Sequence, residues 1–195
     1  MEDFMKKFKF TSCDDIDGLY IVEPLLFTDA RGYNFEAYNE KEFQEAGLNM
    51  RFVQDNRSYS GKGVLRGLHF QWKHPQGKLV SVLRGEVYDV VVDLREHSKT
   101  YGKWYGTVLS AANKRMLYVP EGFAHGFFVL SDTAEFSYKL SDFYHPEEEG
   151  GIPWDDETIG IDWPIPPDMH VIVSERDAGH PKLAKCPVVL KPKYP

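Results

Sequence analysis

The sequence predicts an all-β protein, a jelly roll with a few short peripheral helices. Short runs rich in Val, Tyr, Phe and Leu recur along the chain, and Gly, Pro, Asn and Asp separate them, which is typical of antiparallel strands and turns. Helical periodicity is scarce. Because no linker interrupts the 195 residues, we expect one domain, residues 1–195, around one substantial core.

Strands are predicted wherever an apolar run is long enough. They are expected at residues 21–27, 52–56, 64–72, 104–109, 116–119, 126–130 and 134–139. Residues 77–95 contain two further runs with a turn at 83–86, which predicts a hairpin with one mostly apolar face. About nine short strands without repeated helices favour a jelly roll.

The strongest helical signal lies at residues 39–46. Asn39 can cap the first turn, Glu42 follows three residues later as in a capping box, and Gly47 ends the pattern. Residues 181–195 are rich in proline, so we expect them to form a tail that lies on the surface or is partly ordered.

Composition excludes several classes of protein. The 30 acidic and 23 basic residues leave a net charge of −7, which provides no basic field for nucleic acid. The two cysteines, Cys13 and Cys186, are far apart in sequence, which argues against a disulfide framework and favours a reducing compartment. Neither a signal peptide nor an apolar run of about 18 residues is present, so we expect a cytoplasmic protein without a membrane partner.

The seven histidines fall into two groups. His69 and His125 each lie among glycine and large apolar residues, where a histidine is either a hydrogen-bonded core residue or part of a site. The others lie beside proline, serine, valine or charged residues, and we expect them to be solvated. These others are His74, His97, His145, His170 and His180.

Strand alternation in residues 64–72 separates a polar face from an apolar one. His69 and Gln71 share one face, whereas the apolar residues share the other. Arg66 has the wrong parity to join His69 unless Gly67 marks a bulge that rotates the strand.

The residue types argue against a bound metal or redox cofactor. A jelly roll that holds a metal usually needs two neighbouring histidines on one strand, a carboxylate and a third histidine. Gln71 stands where the second histidine would be, and His69 with His125 is too small a ligand set. No Gly-x-Gly-x-x-Gly run predicts a nicotinamide site. We therefore expect no cofactor and chemistry based on proton transfer.

Several motifs occur in the order found in one protein family. They are residues 29–36 (DARGYNFE), 52–56, 64–69 (VLRGLH), 76–80, 120–127 (PEGFAHGF), 138–139, 149–152, 154–156 and 174–177. In these motifs the chain resembles the dTDP-4-dehydrorhamnose 3,5-epimerases, which are cupins. The resemblance implies a cupin jelly roll (double-stranded β-helix) that works as a homodimer without a cofactor. It also implies inversion of C3 and C5 of dTDP-4-dehydro-6-deoxy-D-glucose to dTDP-4-dehydro-L-rhamnose, in dTDP-rhamnose biosynthesis.

The resemblance also implies residue roles. His69 would be the base with Asp177 as its partner, Lys78 would stabilise charge at O4, and Tyr138 would be the acid on the opposite face. Residues matching substrate-binding positions are Arg31, Glu36, Gln54, Asn56, Arg66, His125, Glu149 and Arg176. From the residues alone, Tyr138 would be a strand aromatic, Lys78 a surface lysine and Asp177 a cap or loop acid.

The sequence leaves three alternatives open. A mono-epimerase would invert only C3 or C5, although a retained Tyr138 argues mildly against it. A metal-dependent cupin oxygenase would require a metal for turnover. A non-catalytic nucleotide-sugar-binding cupin would bind the substrate without exchanging its hydrogens.

Overall fold

The computed structural model describes residues 6–13 and 16–185 of the chain. Most of the described residues that form regular structure lie in antiparallel strands, so the all-β prediction is confirmed. Residues 186–195, which hold Cys186 and most of the predicted tail, lie outside the described part, as do residues 1–5.

The described strands form two large sheets and a small hairpin. The strands are β1 Phe8–Ser12, β2 Tyr20–Pro24, β3 Phe27–Asp29, β4 Gly32–Asn34, β5 Gln54–Gly61, β6 Leu65–Gln71, β7 Lys78–Arg84, β8 Glu86–Asp93, β9 Trp104–Ser110, β10 Met116–Val119, β11 Phe123–Val129, β12 Thr133–Leu140 and β13 Glu149–Gly151. The first sheet has the order β1-β2-β10-β7-β12-β5 and the second β13-β6-β11-β8-β9, while β3 pairs with β4.

The main core lies where apolar faces of the two sheets meet. Val80 and Phe136 from the first sheet pack in one cluster with Val91 and Phe127 from the second. The Phe127 and Phe136 rings stack with centroids 4.3 Å apart. Burial of each such side chain contributes about 1.5–3 kcal/mol. This shared core holds the two sheets together. Polar residues near the ends of their strands line a cavity.

The predicted hairpin at residues 77–95 is wrong. β7 pairs with β10 and β12 in the first sheet, whereas β8 pairs with β11 and β9 in the second. The chain crosses between the sheets at Gly85, which has a φ of 76° and no room for a Cβ because Thr133 O would lie 2.0 Å from it. Alternation identifies the apolar face of each strand, but it does not show which strands pair. The apolar faces of β7 and β8 pack into one core from two different sheets.

The predicted helix is confirmed as α1 Glu40–Glu45. Asn39 caps it by accepting a hydrogen bond from Glu42 N, at 3.3 Å. The Glu42 carboxylate instead accepts from Lys7 N at 2.8 Å, so it joins the helix to the N-terminal segment. A second helix, α2 Glu175–Ala178, was not predicted. No helix among the described residues is long and apolar enough to cross a membrane.

Gly67 lies at a β-bulge in β6, which is the condition under which Arg66 could join His69. His69 pairs with His125 and Arg66 pairs with Phe127, so three steps along β6 match two along β11. Gly67 has a φ of 116°, and a Cβ there would lie 2.6 Å from Gly126 Cα. The bulge brings Arg66 to the same cavity as His69.

Replacing Gly67 by alanine is expected to lower the free energy of unfolding by about 3 kcal/mol or more, since backbone strain and overpacking add. Gly32→Ala is the matched control, because Gly32 has a φ of 126° but open space around its missing Cβ. Gly32→Ala should lower the free energy of unfolding by only about 1 kcal/mol, the cost of the conformational strain. Denaturant unfolding of both variants measures the difference, and equal losses would contradict the close approach of β6 and β11.

Candidate active site

A cavity of about 350 Å³ opens where the ends of both sheets meet. β5, β7 and β12 contribute side chains from the first sheet, and β6 and β11 contribute them from the second. Most of the residues with implied roles line it. They are Gln54, Asn56, Arg66, His69, Lys78, His125, Tyr138, Glu149 and Arg176. This volume lies within the usual range for a small-molecule site.

His69 and Asp177 form a hydrogen-bonded pair at this cavity. His69 Nε2 lies 2.9 Å from Asp177 Oδ1, although the two residues are 108 positions apart in sequence. Gly67 N donates to Asp177 Oδ2 at 3.1 Å, which holds the carboxylate against β6. Asp177 is buried behind the imidazole, whereas His69 is partly exposed and lines the cavity.

Helix α2 explains how Asp177 reaches this position. Ser174 caps the helix by accepting a hydrogen bond from Asp177 N at 3.1 Å. Burial alone would raise the pKa of Asp177, but the hydrogen bonds from His69 and the Gly67 N–H hold that pKa well below its usual range. Asp177 is therefore a carboxylate at neutral pH and favours the Nε2–H tautomer of His69.

Lys78 lies at the end of a second buried chain of polar groups. His125 Nε2 lies 3.0 Å from Asp89 Oδ2, and His125 Nδ1 lies 3.5 Å from Lys78 Nζ. With Nε2–H donated to Asp89, Nδ1 accepts from the ammonium. Burial lowers the pKa of His125 against the opposing effect of Asp89, which keeps the imidazole neutral.

Burial also lowers the pKa of Lys78 to about 8, although the charges of Asp89 and Glu149 oppose this shift. The ammonium is buried, yet it lines the cavity. It is therefore a positioned cation in a low-dielectric setting at neutral pH, where it interacts strongly with a developing negative charge.

Tyr138 lies on β12 of the first sheet and lines the cavity, as His69 does from β6 of the second. Its ring packs against Phe136, with centroids 5.8 Å apart. A phenol and an imidazole thus reach the same cavity from opposite sheets.

Comparison with known proteins shows the family of the chain. A family model described as dTDP-4-dehydrorhamnose 3,5-epimerase matches residues 14–185. The chain belongs to this epimerase family. The resemblance and the cupin-like jelly roll predicted from the sequence are confirmed.

Two similar proteins and one more distant one place the chain within the family. The dTDP-4-dehydrorhamnose 3,5-epimerase of Methanothermobacter thermautotrophicus is 54% identical over 95% of this chain and 100% of its own length. The structure of a dTDP-6-deoxy-D-glucose-3,5-epimerase from Legionella pneumophila with dTDP-4-keto-L-rhamnose has a TM-score of 0.90 and 48% identity, covering 96% and 99% of the two chains. A 3'-monoepimerase, ChmJ of Streptomyces bikiniensis with dTDP-quinovose, has a TM-score of 0.81 and 33% identity, covering 87% and 86%.

In this member of the epimerase family, the side chain of Gln71 forms hydrogen bonds with backbone atoms of two loops. Its Nε2 donates to His74 O at 2.8 Å and to Phe143 O at 3.1 Å, and its Oε1 accepts from His145 N at 2.7 Å. Gln71 therefore fixes two loops beside the cavity. These bonds use both of its N–H donors and one lone pair of its oxygen.

Arg31 and Glu36 do not line the cavity of this epimerase-family chain. Arg31 is exposed and pairs with Asp29 in the β3–β4 hairpin, while Glu36 pairs with Lys7. Their role in substrate binding stays a prediction.

The sequence did not reveal three polar residues at this site. Asp89 supports His125, and its only signal was an acid within an otherwise apolar strand. Tyr144 lines the cavity and donates its hydroxyl hydrogen to Glu149 Oε2 at 2.6 Å. His180 was expected to be solvated, but its side chain is only 12% exposed and its Nε2 has no hydrogen-bond partner among the described residues.

Proposed function

We propose that the chain is a cofactor-independent epimerase that inverts C3 and C5 of dTDP-4-dehydro-6-deoxy-D-glucose and yields dTDP-4-dehydro-L-rhamnose. The observation that carries this proposal is the His69–Asp177 pair, which faces the same cavity as a buried cation, Lys78, and a phenol on the other sheet, Tyr138. Family membership supports the same reaction and its place in dTDP-rhamnose biosynthesis.

The substrate makes this chemistry possible without a cofactor. The hydrogens on C3 and C5 are both α to the C4 carbonyl, so removing either one produces an enolate. Reprotonation from the opposite face inverts the carbon. The reaction therefore needs a base, an acid on the other side of the sugar, and positive charge beside O4.

His69 is the base in this proposal. Because Nε2–H donates to Asp177, Nδ1 keeps a lone pair that can accept the proton from carbon. Asp177 then stabilises the imidazolium, since its carboxylate is ionised at neutral pH.

Lys78 and Tyr138 complete the reaction. Lys78 stabilises the enolate oxygen as an ammonium held by His125, and no proton needs to leave it during this step. Tyr138 delivers a proton to the face of the carbon opposite His69, because the two side chains come from opposite sheets. The His69 imidazolium then releases its proton to solvent and the Tyr138 phenolate takes one from solvent, so both groups are ready for the second inversion.

The nucleotide half of the substrate needs donors for its diphosphate. Arg66 and Arg176 supply guanidinium groups at the cavity, and a planar fork pairs well with phosphate oxygens. His125 positions Lys78, while Gln54, Asn56 and Glu149 offer amide and carboxylate groups to the sugar and base.

A homodimer is part of this proposal. Arg31 and Glu36 lie in the segment from the exposed β3–β4 hairpin to α1, away from the cavity of their own chain. In a dimer this segment can extend to the cavity of the second copy and contact its nucleotide. The expected location is the cytoplasm, because a chain with two cysteines suits a reducing compartment.

Deuterium exchange tests the proposed reaction. Incubating the protein with dTDP-4-dehydro-6-deoxy-D-glucose in deuterated water is expected to place deuterium at both C3 and C5, as seen by NMR. Deuterium at one carbon alone would identify a mono-epimerase, the activity named for the more distant relative. Substrate binding without exchange would indicate a non-catalytic binding protein. Turnover that requires iron, manganese or zinc bound at His69 itself would overturn the acid–base mechanism.

A further inference from the structure

Three potential metal ligands lie together outside the acid–base groups. His74 follows β6, and His145 with Glu148 belongs to the loop and 3₁₀ turn before β13. Each offers one ligand atom, and all three atoms lie within 4.8 Å of one another. Neither histidine has a role in the proposed epimerase mechanism.

The cluster is closely packed and accessible. His74 Nδ1 lies 2.6 Å from Glu148 Oε2, and the two imidazoles stack with centroids 4.4 Å apart and an angle of 21° between their planes. Glu148 is buried, whereas the side chains of His74 and His145 are 43% and 32% exposed.

We propose that His74, His145 and Glu148 bind a divalent transition metal, with zinc as the best match, at the rim of the catalytic cavity. Two imidazole nitrogens and one carboxylate are a common ligand set for zinc, and water fills the fourth position. Bonds of about 2.0 Å need ligand atoms about 3.3 Å apart, which exposed histidine side chains reach by rotation. Glu147 Oε1 lies 3.7 Å from His145 Nδ1 and provides a nearby additional carboxylate.

The position of this cluster couples it to the cavity. Gln71 bonds to the backbone of His74, Phe143 and His145, so both loops are already held against β6. The second loop also carries Tyr144 and leads into Glu149, which line the cavity. A metal that joins the two loops would therefore fix the cavity wall that these residues form.

Zinc titration tests the site. Chelator-treated protein is titrated with zinc chloride by calorimetry, and one zinc ion per chain is expected to bind. His74→Ala and His145→Ala should each weaken binding by at least about tenfold, because loss of a ligand costs no less than loss of an outer-shell partner. At the same zinc concentration, zinc should raise the thermal unfolding midpoint of the wild-type chain more than that of His145→Ala. The same melts without zinc show whether the variants are folded.

Two further variants make the result specific. His170 is exposed and remote from the cluster in sequence, so His170→Ala should bind zinc like the wild type. His180→Ala tests the other described group of potential ligands, His69, Asp177 and His180. Absence of zinc binding by the wild type would overturn the proposal. So would binding that survives His74→Ala and His145→Ala, or binding that only His180→Ala removes.

Discussion

Replacing His69 by asparagine is expected to lower the rate of deuterium incorporation at C3 and C5 by about 10⁴-fold. Asparagine fills part of the same space and donates a hydrogen bond, but it cannot accept a proton from carbon. This loss corresponds to the upper end of what a positioned general base contributes. The remaining positive groups at the cavity, Lys78, Arg66 and Arg176, are unchanged, so dTDP should still bind.

The measurement compares initial exchange rates by NMR with dTDP affinity by calorimetry for both proteins. His170→Asn is the matched control, since it makes the same substitution at an exposed histidine. A thermal melt checks that the His69 variant is folded. This control is needed because Asp177 loses the imidazole that bonds to it, and some stability is lost with that contact. Exchange at a rate near that of the wild type would show that His69 is not the base.

Replacing Lys78 by methionine should lower the exchange rate by about 10²-fold to 10³-fold, the usual effect of removing one oxyanion-stabilising group. Methionine has a similar length and suits the buried position, so the fold should tolerate it. The enolate oxygen would then develop charge without a neighbouring cation. Lys62→Met at an exposed lysine is the control and should leave the rate unchanged.

The pH profile gives an independent check on Lys78. Its pKa is lowered to about 8, so the side chain is an ammonium below that pH and becomes a neutral amine as the pH rises through it. Wild-type activity should therefore fall above about pH 8. Lys78→Arg keeps its charge at higher pH, so this fall should move upward even if the rate at neutral pH is reduced. An unchanged alkaline limit would mean that another group controls it.

Local sequence patterns were sufficient for the fold class and the family, and most of the residues they singled out line the cavity. Apolar runs located most of the strands because burial of one strand face requires alternation. Asn39 identified the start of α1, since a helix end needs a side-chain cap. Gly67 marked where a bulge could form because the required φ is accessible to glycine. The order of the motifs indicated the epimerase family, which the comparisons confirmed.

Contacts between distant parts of the chain could not be predicted from local sequence patterns. The predicted hairpin failed because alternation is a property of one strand, whereas pairing depends on the whole arrangement of sheets. Asp89 and Tyr144 were missed for a similar reason, since only the fold brings them to His125 and Glu149.

By itself, the sequence determined an all-β chain of the epimerase family with His69 as a candidate base. Only the tertiary structure decided which groups contact that histidine and which cation shares its cavity. Asp177 is 108 residues from His69, and Lys78 reaches His125 from the other sheet. The physical reason is that a strand's pattern depends on its own burial, whereas proton affinity and charge stabilisation depend on neighbours that are close only after folding.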